Sequence, residues 1–257
     1  MINIGMLEPF LNRENIGYAL NFRLSDISYL KVGGTAPIFI TPANKAELIK
    51  VVGVLKEYCL EYIFIGNASN ILFSDKIIDK VFVSTKELNI IEFGANIGTV
   101  SAETGVMLPA LAKAVCDKGL TGFEGLIGIP GTVGGAVCMN AGAYGNEISD
   151  NIIGIEYISE NGDVLQMQRV EADFRFRYSV FQSQRNKQVL SVKFGMKADI
   201  QQEINAKVQQ FKLNRNTYQE RKYPNLGSLF KTKDIYSDIA VKNHGYAVLL
   251  CFIRKLS

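Results

Sequence analysis

The sequence predicts an α+β fold of two lobes, and three observations predict it. Between residues 21 and 85, apolar strand patterns alternate with a helical one. Between 86 and 200 strand patterns dominate, with one clear helix. Between those parts of the second half runs Gly125 to Gly145, which holds seven of the chain's 23 glycines. Elements grouped in this way argue against a doubly wound parallel sheet.

Taken in order, residues 1–20 read as irregular with one short helix. Gly33-Gly34 makes a turn, a strand runs from Ala36 to Ile40, and Pro42 ends it. Asn44 caps a helix whose third residue is Glu47, a capping-box pattern, and Leu48, Ile49, Val51, Val52, Val54 and Leu55 form its apolar face. The strand Tyr62–Ile65 runs into Gly66-Asn67-Ala68-Ser69-Asn70-Ile71-Leu72. Further strands are expected at Val81–Ser84, Asn89–Phe93 and Gly98–Ala102, then a helix from Leu108 to Lys118 closed by Gly119. After the glycine-rich stretch, strands are expected at Ile152–Ile158, Val164–Gln168 and Gln188–Phe194, with Asn161-Gly162 as a hairpin turn. Residues 201–218 read as a helix with Ile204, Val208 and Phe211 in register, and a helix Ile235–Val241 and a strand Ala247–Ile253 close the chain. Lobes of 1–85 and 86–200 and a small segment of 201–257 are the expected divisions.

Composition excludes several function classes. A net charge of +3 without a dense Lys/Arg run gives no reason to expect nucleic acid as a partner. The first residues lack a basic segment leading into an apolar one, and the apolar run Tyr246–Ile253 is far shorter than a bilayer span. A cytoplasmic protein with no membrane partner is expected, and a monomer. Cys59, Cys116, Cys138 and Cys251 form no Cys-x-x-Cys pair and read as reduced, mostly buried thiols. The one histidine, His244, leaves a His-ligated metal site and a Ser-His-Asp triad poorly supported, so no metal is expected.

Two stretches carry candidate chemistry. In Gly125–Gly145 the glycines are interleaved with apolar Ile127, Ile129, Val133, Val137 and Met139, unlike a flexible linker. The backbone there either lines a pocket against a flat ligand or turns tightly inside a sheet. The loop after Tyr62–Ile65 is small and polar, either an amide nest for an anion or a plain polar turn. It is neither a Walker loop nor a Gly-x-Gly-x-x-Gly turn.

Three stretches together resemble one family. They are Lys31-Val32-Gly33-Gly34, Ile65–Leu72 with Asp75, and Gly122-Phe123-Glu124 through Gly145. Phe174-Arg175-Phe176-Arg177-Tyr178-Ser179-Val180-Phe181 and Gly227-Ser228-Leu229-Phe230-Lys231 follow in the same order. The pattern, covering residues 22–231, resembles the short-form UDP-N-acetylenolpyruvoylglucosamine reductases, also called UDP-N-acetylmuramate dehydrogenases. The resemblance implies a vanillyl-alcohol-oxidase-type (PCMH-type) FAD-binding fold of two lobes with a reduced C-terminal substrate lobe. It implies FAD and NADPH as cofactors, a UDP-sugar as partner and a role in peptidoglycan precursor synthesis. Gly66, Asn67, Ala68, Ser69, Asn70 and Ile71 would hold the FAD diphosphate. Gly128, Ile129, Gly131, Gly134, Gly135, Asn140 and Gly142 would line the flavin. Arg177 would stabilise the enolate that forms when hydride reaches the enolpyruvyl ether, and Ser228 would protonate it. Tyr144 and Arg215 would hold the UDP-sugar. The alternative is an FAD-binding relative with another substrate or without catalysis.

Three departures stand out. Ala68 occupies a place where the family has glycine, and alanine fits there unless φ is positive. Phe176 replaces a tyrosine. The segment after Lys231 lacks the family's C-terminal motif, and no Glu follows Glu220.

Overall fold

The computed structural model describes residues 4–184, 186–218, 226 and 254–256. Helix α1 (Leu7–Arg13) leads into strand β1 (Gly17–Arg23), which is followed by β2 (Thr35–Thr41), α2 (Lys45–Glu57), β3 (Tyr62–Ile65) and β4 (Val81–Ser84). These strands form a sheet in the order β1-β2-β4-β3. β1 and β2 are antiparallel, while β2, β4 and β3 run parallel. α2 starts where its sequence says: the Asn44 side chain accepts from the Glu47 amide at 3.0 Å, and the Ala43 amide donates to Glu47 Oε2 at 2.8 Å. Its buried Leu48, Val51, Val52 and Leu55 pack on Ile38, Ile40, Val81 and Val83. The opposite face carries Phe39 and Phe82, which with Leu24, Ile65, Phe73 and Ile78 form a second cluster that reaches Ala68.

The second sheet is built from β5 (Ile91–Phe93), β6 (Thr99–Glu103), β7 (Ile152–Ile158), β8 (Val164–Gln168) and β9 (Gln188–Gly195). Its order is β8-β7-β9-β6-β5, and every pair is antiparallel. Three helices belong with it: α3 (Leu108–Asp117), α4 (Val133–Met139) and α5 (Gln201–Tyr218). Leu108, Leu111, Ala112 and Val115 of α3 join Val133, Ala136 and Val137 of α4 and Val192 and Phe194 of β9 in one core. Gly119, after α3, has φ +73°, the left-handed value a closing glycine supplies. Polar links tie the two sheets together. Lys45 Nζ of α2 lies 2.6 Å from Glu156 Oε2 of β7, which also accepts from Ser191 Oγ of β9 at 2.6 Å. Lys56 reaches the carbonyls of Ser159 and Glu160.

Three sequence expectations are corrected. Residues 17–23 are not irregular but form β1, whose side chains are largely exposed, so no apolar alternation marks it. The glycine-rich stretch is not turns alone; it contains α4. Of the cysteines, Cys116 is buried, Cys138 half-buried and Cys59 exposed, so the described thiols are not mostly buried. Burial, with Glu124 and Asp117 adding to it, pushes the Cys116 thiol up to about 12, which keeps it protonated and inert. Cys251, His244, the helix Ile235–Val241 and the strand Ala247–Ile253 lie outside the described residues. Among the described residues no helix is long and apolar enough to cross a membrane.

Candidate active site

The site is organised by the two ends of α4. Thr132 is the N-cap: its side chain accepts from the Gly135 amide at 3.4 Å. At the other end Asn140 takes the left-handed conformation, φ +42°. The Asn140 amide donates to the Val137 carbonyl and the Ala141 amide to that of Ala136, a Schellman closure with asparagine in the usual glycine place. A helix of seven residues is about 10 Å long, so its two ends present two separate environments about that far apart.

The loop 66–71 lies at the N-terminal end. Ser69 Oγ donates to the Pro130 carbonyl at 2.9 Å, and Asn67 Nδ2 donates to Tyr29 Oη at 3.0 Å. A Cβ on Gly66 would stand 2.4 Å from Thr132 Oγ1, so only glycine allows the loop to seat against the cap of α4. Ala68 has φ +48°, the positive value at which alanine is strained. No backbone amide of Ala68, Ser69 or Asn70 donates to another described residue. Successive amides with a left-handed residue among them form a nest suited to an anion such as a diphosphate.

The glycines divide by what faces them. Gly134 would place a Cβ 2.0 Å from Thr104 Oγ1, and Gly142 one 2.6 Å from the Asn146 carbonyl, so their missing side chains let protein pack on protein. Gly131 and Gly135 meet nothing closer than 3.3 Å and 3.6 Å, and Gly131 has φ +139°. Ile129 packs on the core of the second sheet. Gly128 is covered by the Arg215 side chain, whose Cδ lies 2.4 Å from where a Cβ would be. With Tyr144, Phe211 and Glu124, these two line a cavity of about 320 Å³. Tyr144 stacks on Phe211 with ring centroids 4.8 Å apart. Glu124, almost fully buried, is held by Thr121 Oγ1 and the Gly122 amide at 2.6 and 2.7 Å.

Arg177 is at the other end of α4. Its Nη2 donates to the Gly142 carbonyl at 2.7 Å and its Nη1 to that of Asn140 at 3.3 Å. The Phe176 ring covers one face, 4.7 Å from Cζ. Arg177 itself has φ +55°, a conformation rare for a side chain of this size. Asn140 is buried, its Nδ2 donating to Glu147 Oε2 at 2.6 Å and to the Arg175 carbonyl at 3.0 Å. Its Oδ1 is buried with no partner among the described residues. A bound N–H donor would satisfy that oxygen. The nest amides, which have no partner among the described residues, the open face of Gly135 and this oxygen fit a dinucleotide with a flat, hydrogen-bonding ring.

The structure thus brings Gly66–Ile71 against Pro130–Thr132, Tyr144 and Arg215 against Gly128, and Arg177 against Asn140 and Gly142. Ser228 lies outside the described residues. Sequence reasoning missed Thr132, Tyr29 and Glu147. Thr132, immediately before an apolar run, carried the ordinary signal of an N-cap. Tyr29 carried none, because Asn67 is 38 residues away, and Glu147 none, because Arg177 is remote in sequence. No cluster of His, Cys, Asp and Glu among the described residues could hold a metal ion.

Comparison with known proteins agrees with this geometry. The family described as FAD binding domain matches residues 36–168. The UDP-N-acetylenolpyruvoylglucosamine reductase of Caldicellulosiruptor bescii is 35% identical over 229 residues, covering 87% of this chain and 71% of that protein. The enzyme of that name from Carboxydothermus hydrogenoformans is 38% identical over 204 residues, covering 79% and 67% respectively. The crystal structure of the UDP-N-acetylenolpyruvylglucosamine reductase of Thermus caldophilus superposes with a TM-score of 0.71 at 27% identity, over 85% of this chain and 75% of that one. The fold is the α+β, PCMH-type FAD-binding fold. With that extent of identity along most of both chains, this chain belongs to the family of UDP-N-acetylenolpyruvoylglucosamine reductases.

Proposed function

We propose that the chain reduces UDP-N-acetylglucosamine enolpyruvate to UDP-N-acetylmuramate with FAD and NADPH, a cytoplasmic step of peptidoglycan precursor synthesis. The observation that carries this reading is the pair of sites at the ends of α4: an amide nest at one end, a fixed guanidinium at the other. Bound FAD would supply the hydride chemistry, from NADPH to the vinyl carbon. Everything else falls to the chain. The amides of Ala68, Ser69 and Asn70 would hold the diphosphate, with Gly66, Asn67 and Ile71 shaping the loop. Gly135 would leave room for the ring, and Asn140 Oδ1 would accept a hydrogen bond.

Arg177 is suited to the charge that develops. An enolate beside a carboxylate spreads negative charge over several oxygens, and a planar guanidinium answers it with paired donors. Two of its five N–H groups are engaged by the Asn140 and Gly142 carbonyls, which leaves others for the substrate. Ser228 would deliver the proton to the enolate carbon. Tyr144 and Arg215, in one cavity, would receive the UDP-sugar, the arginine facing its diphosphate. Residues 201–257 would belong to the substrate lobe.

The test is NADPH oxidation by the FAD-loaded protein with and without the enolpyruvyl substrate. Substrate-dependent turnover is expected, and Arg177→Ala should lower it by about 100-fold or more, the scale of losing one preorganised charge-stabilising group. Flavin reduction without turnover would point to another substrate; no flavin reduction would point to a binding protein.

A further inference from the structure

We propose that Glu147 is the positioning residue for Arg177. The inference rests on the reductase reading of Arg177. Its basis is a six-residue hairpin that presents two groups to one guanidinium. Gly142-Ala143 pairs antiparallel with Asn146-Glu147, and Gly142 is the direct partner of Glu147. The two turn residues, Tyr144 and Gly145, have φ of +53° and +80°, as the tight hairpin turn with two left-handed residues requires. Gly142 gives its carbonyl to Arg177 Nη2, and Glu147 sets Oε1 3.7 Å from Arg177 Nη1. The other carboxylate oxygen accepts from Asn140 Nδ2 at 2.6 Å. Asn140 in turn offers its own carbonyl to Arg177 Nη1.

Glu147 therefore bridges the cation and the residue that holds it. Two carbonyls contact one edge of the guanidinium. The carboxylate adds a charge whose pull is directional and is only partly screened, since about two thirds of each side chain is covered (Arg177 33% and Glu147 31% exposed). Without Glu147, Asn140 loses one of its two amide partners, and among the described residues Arg177 keeps only neutral contacts. The guanidinium would then sample several orientations, and an ångström of misplacement at a charge-stabilising group costs about 100-fold in rate at the upper end.

The experiment separates the half-reactions by anaerobic stopped-flow on the FAD-loaded protein. In Glu147→Ala, reoxidation by UDP-N-acetylglucosamine enolpyruvate should slow roughly 10- to 100-fold, well beyond any slowing of flavin reduction by NADPH. Glu147→Asp should recover part of that loss. In an Arg177→Ala background, Glu147→Ala should slow reoxidation no further, since it acts through the arginine. Unchanged reoxidation in Glu147→Ala, or further slowing in the double variant, would overturn the proposal. Glu147→Gln keeps an acceptor for Asn140 Nδ2 and serves if the alanine variant fails to fold. Solvent exchange of the Arg177 side-chain N–H, read by NMR without turnover, should accelerate in Glu147→Gln; unchanged exchange would also overturn the proposal. If the wild-type reduced flavin is not reoxidised by this substrate, the reductase reading fails instead, and the exchange measurement still decides the role of Glu147.

Discussion

Ala68 shows two opposed effects of similar size at a single residue. Its φ of +48° costs an alanine about 1 kcal/mol relative to glycine. Ala68 is only 5% exposed and belongs to the cluster of Phe39, Phe73 and Phe82, and burying its methyl group there returns about 0.8 kcal/mol. A glycine would relieve the strain but lose the burial and gain unfolded-state freedom. Ala68→Gly should therefore shift stability by less than about 1 kcal/mol, whereas Ala68→Val, β-branched at a left-handed position, should cost more than about 2 kcal/mol. Urea denaturation of the three proteins checks both. The alanine at this place in the nest is tolerated because its side chain has somewhere apolar to go.

The helix α4 explains why part of the site was legible in the sequence and part was not. α2 was legible because its cap and apolar face are local: Asn44 and Glu47 are three residues apart. α4 was not, because Gly134 and Gly135 are poor helix formers at any reading of propensity. The helix is held instead by the Thr132 cap, the Schellman closure at Asn140 and the burial of Val133, Ala136 and Val137. Sequence also left open whether the glycines served a ligand or packing. The answer differs by position. Gly134 seats the helix on the buried Thr104, Gly131 sits at φ +139° close under Ser69, and Gly135 keeps an open face. Gly134→Ala should cost about 1–3 kcal/mol by overpacking, read as a lowered thermal midpoint of the apoprotein. Normal stability in that variant would mean that α4 can lift off the strand. Glu147 could not have been read at all, since its partner Arg177 lies 30 residues on, and the pairing exists only once the hairpin and the following loop have folded.

At the scale of the molecule, the α+β class was legible from the change of pattern near residue 86, and the structure builds one sheet from residues 17–84 and a second from residues 91–195. What joins the sheets was not legible, because Lys45, Glu156 and Ser191 come from three distant elements. Burial raises the Glu156 carboxyl, but the hydrogen bonds from Lys45 and Ser191 and the Lys45 charge outweigh it, so its value lies below the ordinary 4.5. A depressed carboxyl stabilises the fold above its unfolded value and loses that contribution as pH falls through its folded value. The stability advantage of wild type over Glu156→Gln should be full above pH 4.5 and shrink below it, as denaturant midpoints across that range would show. An advantage independent of pH would mean that the ion pair contributes nothing to joining the sheets.

The contact of Ser69 Oγ with the Pro130 carbonyl spans 61 residues of chain. Ordering so long a loop costs entropy before its contacts repay it. The cradle is therefore expected to close late in folding, after the Phe39–Phe82 cluster and the core beneath α4, an order that a low φ-value for Ser69→Ala would check. A ligand that bridges the nest and α4 touches a contact absent from the transition state. It acts as a brake on unfolding and does little to hasten folding. The lifetime of the native chain is then set by occupancy of the cradle, more than by the rate at which the chain first reaches it.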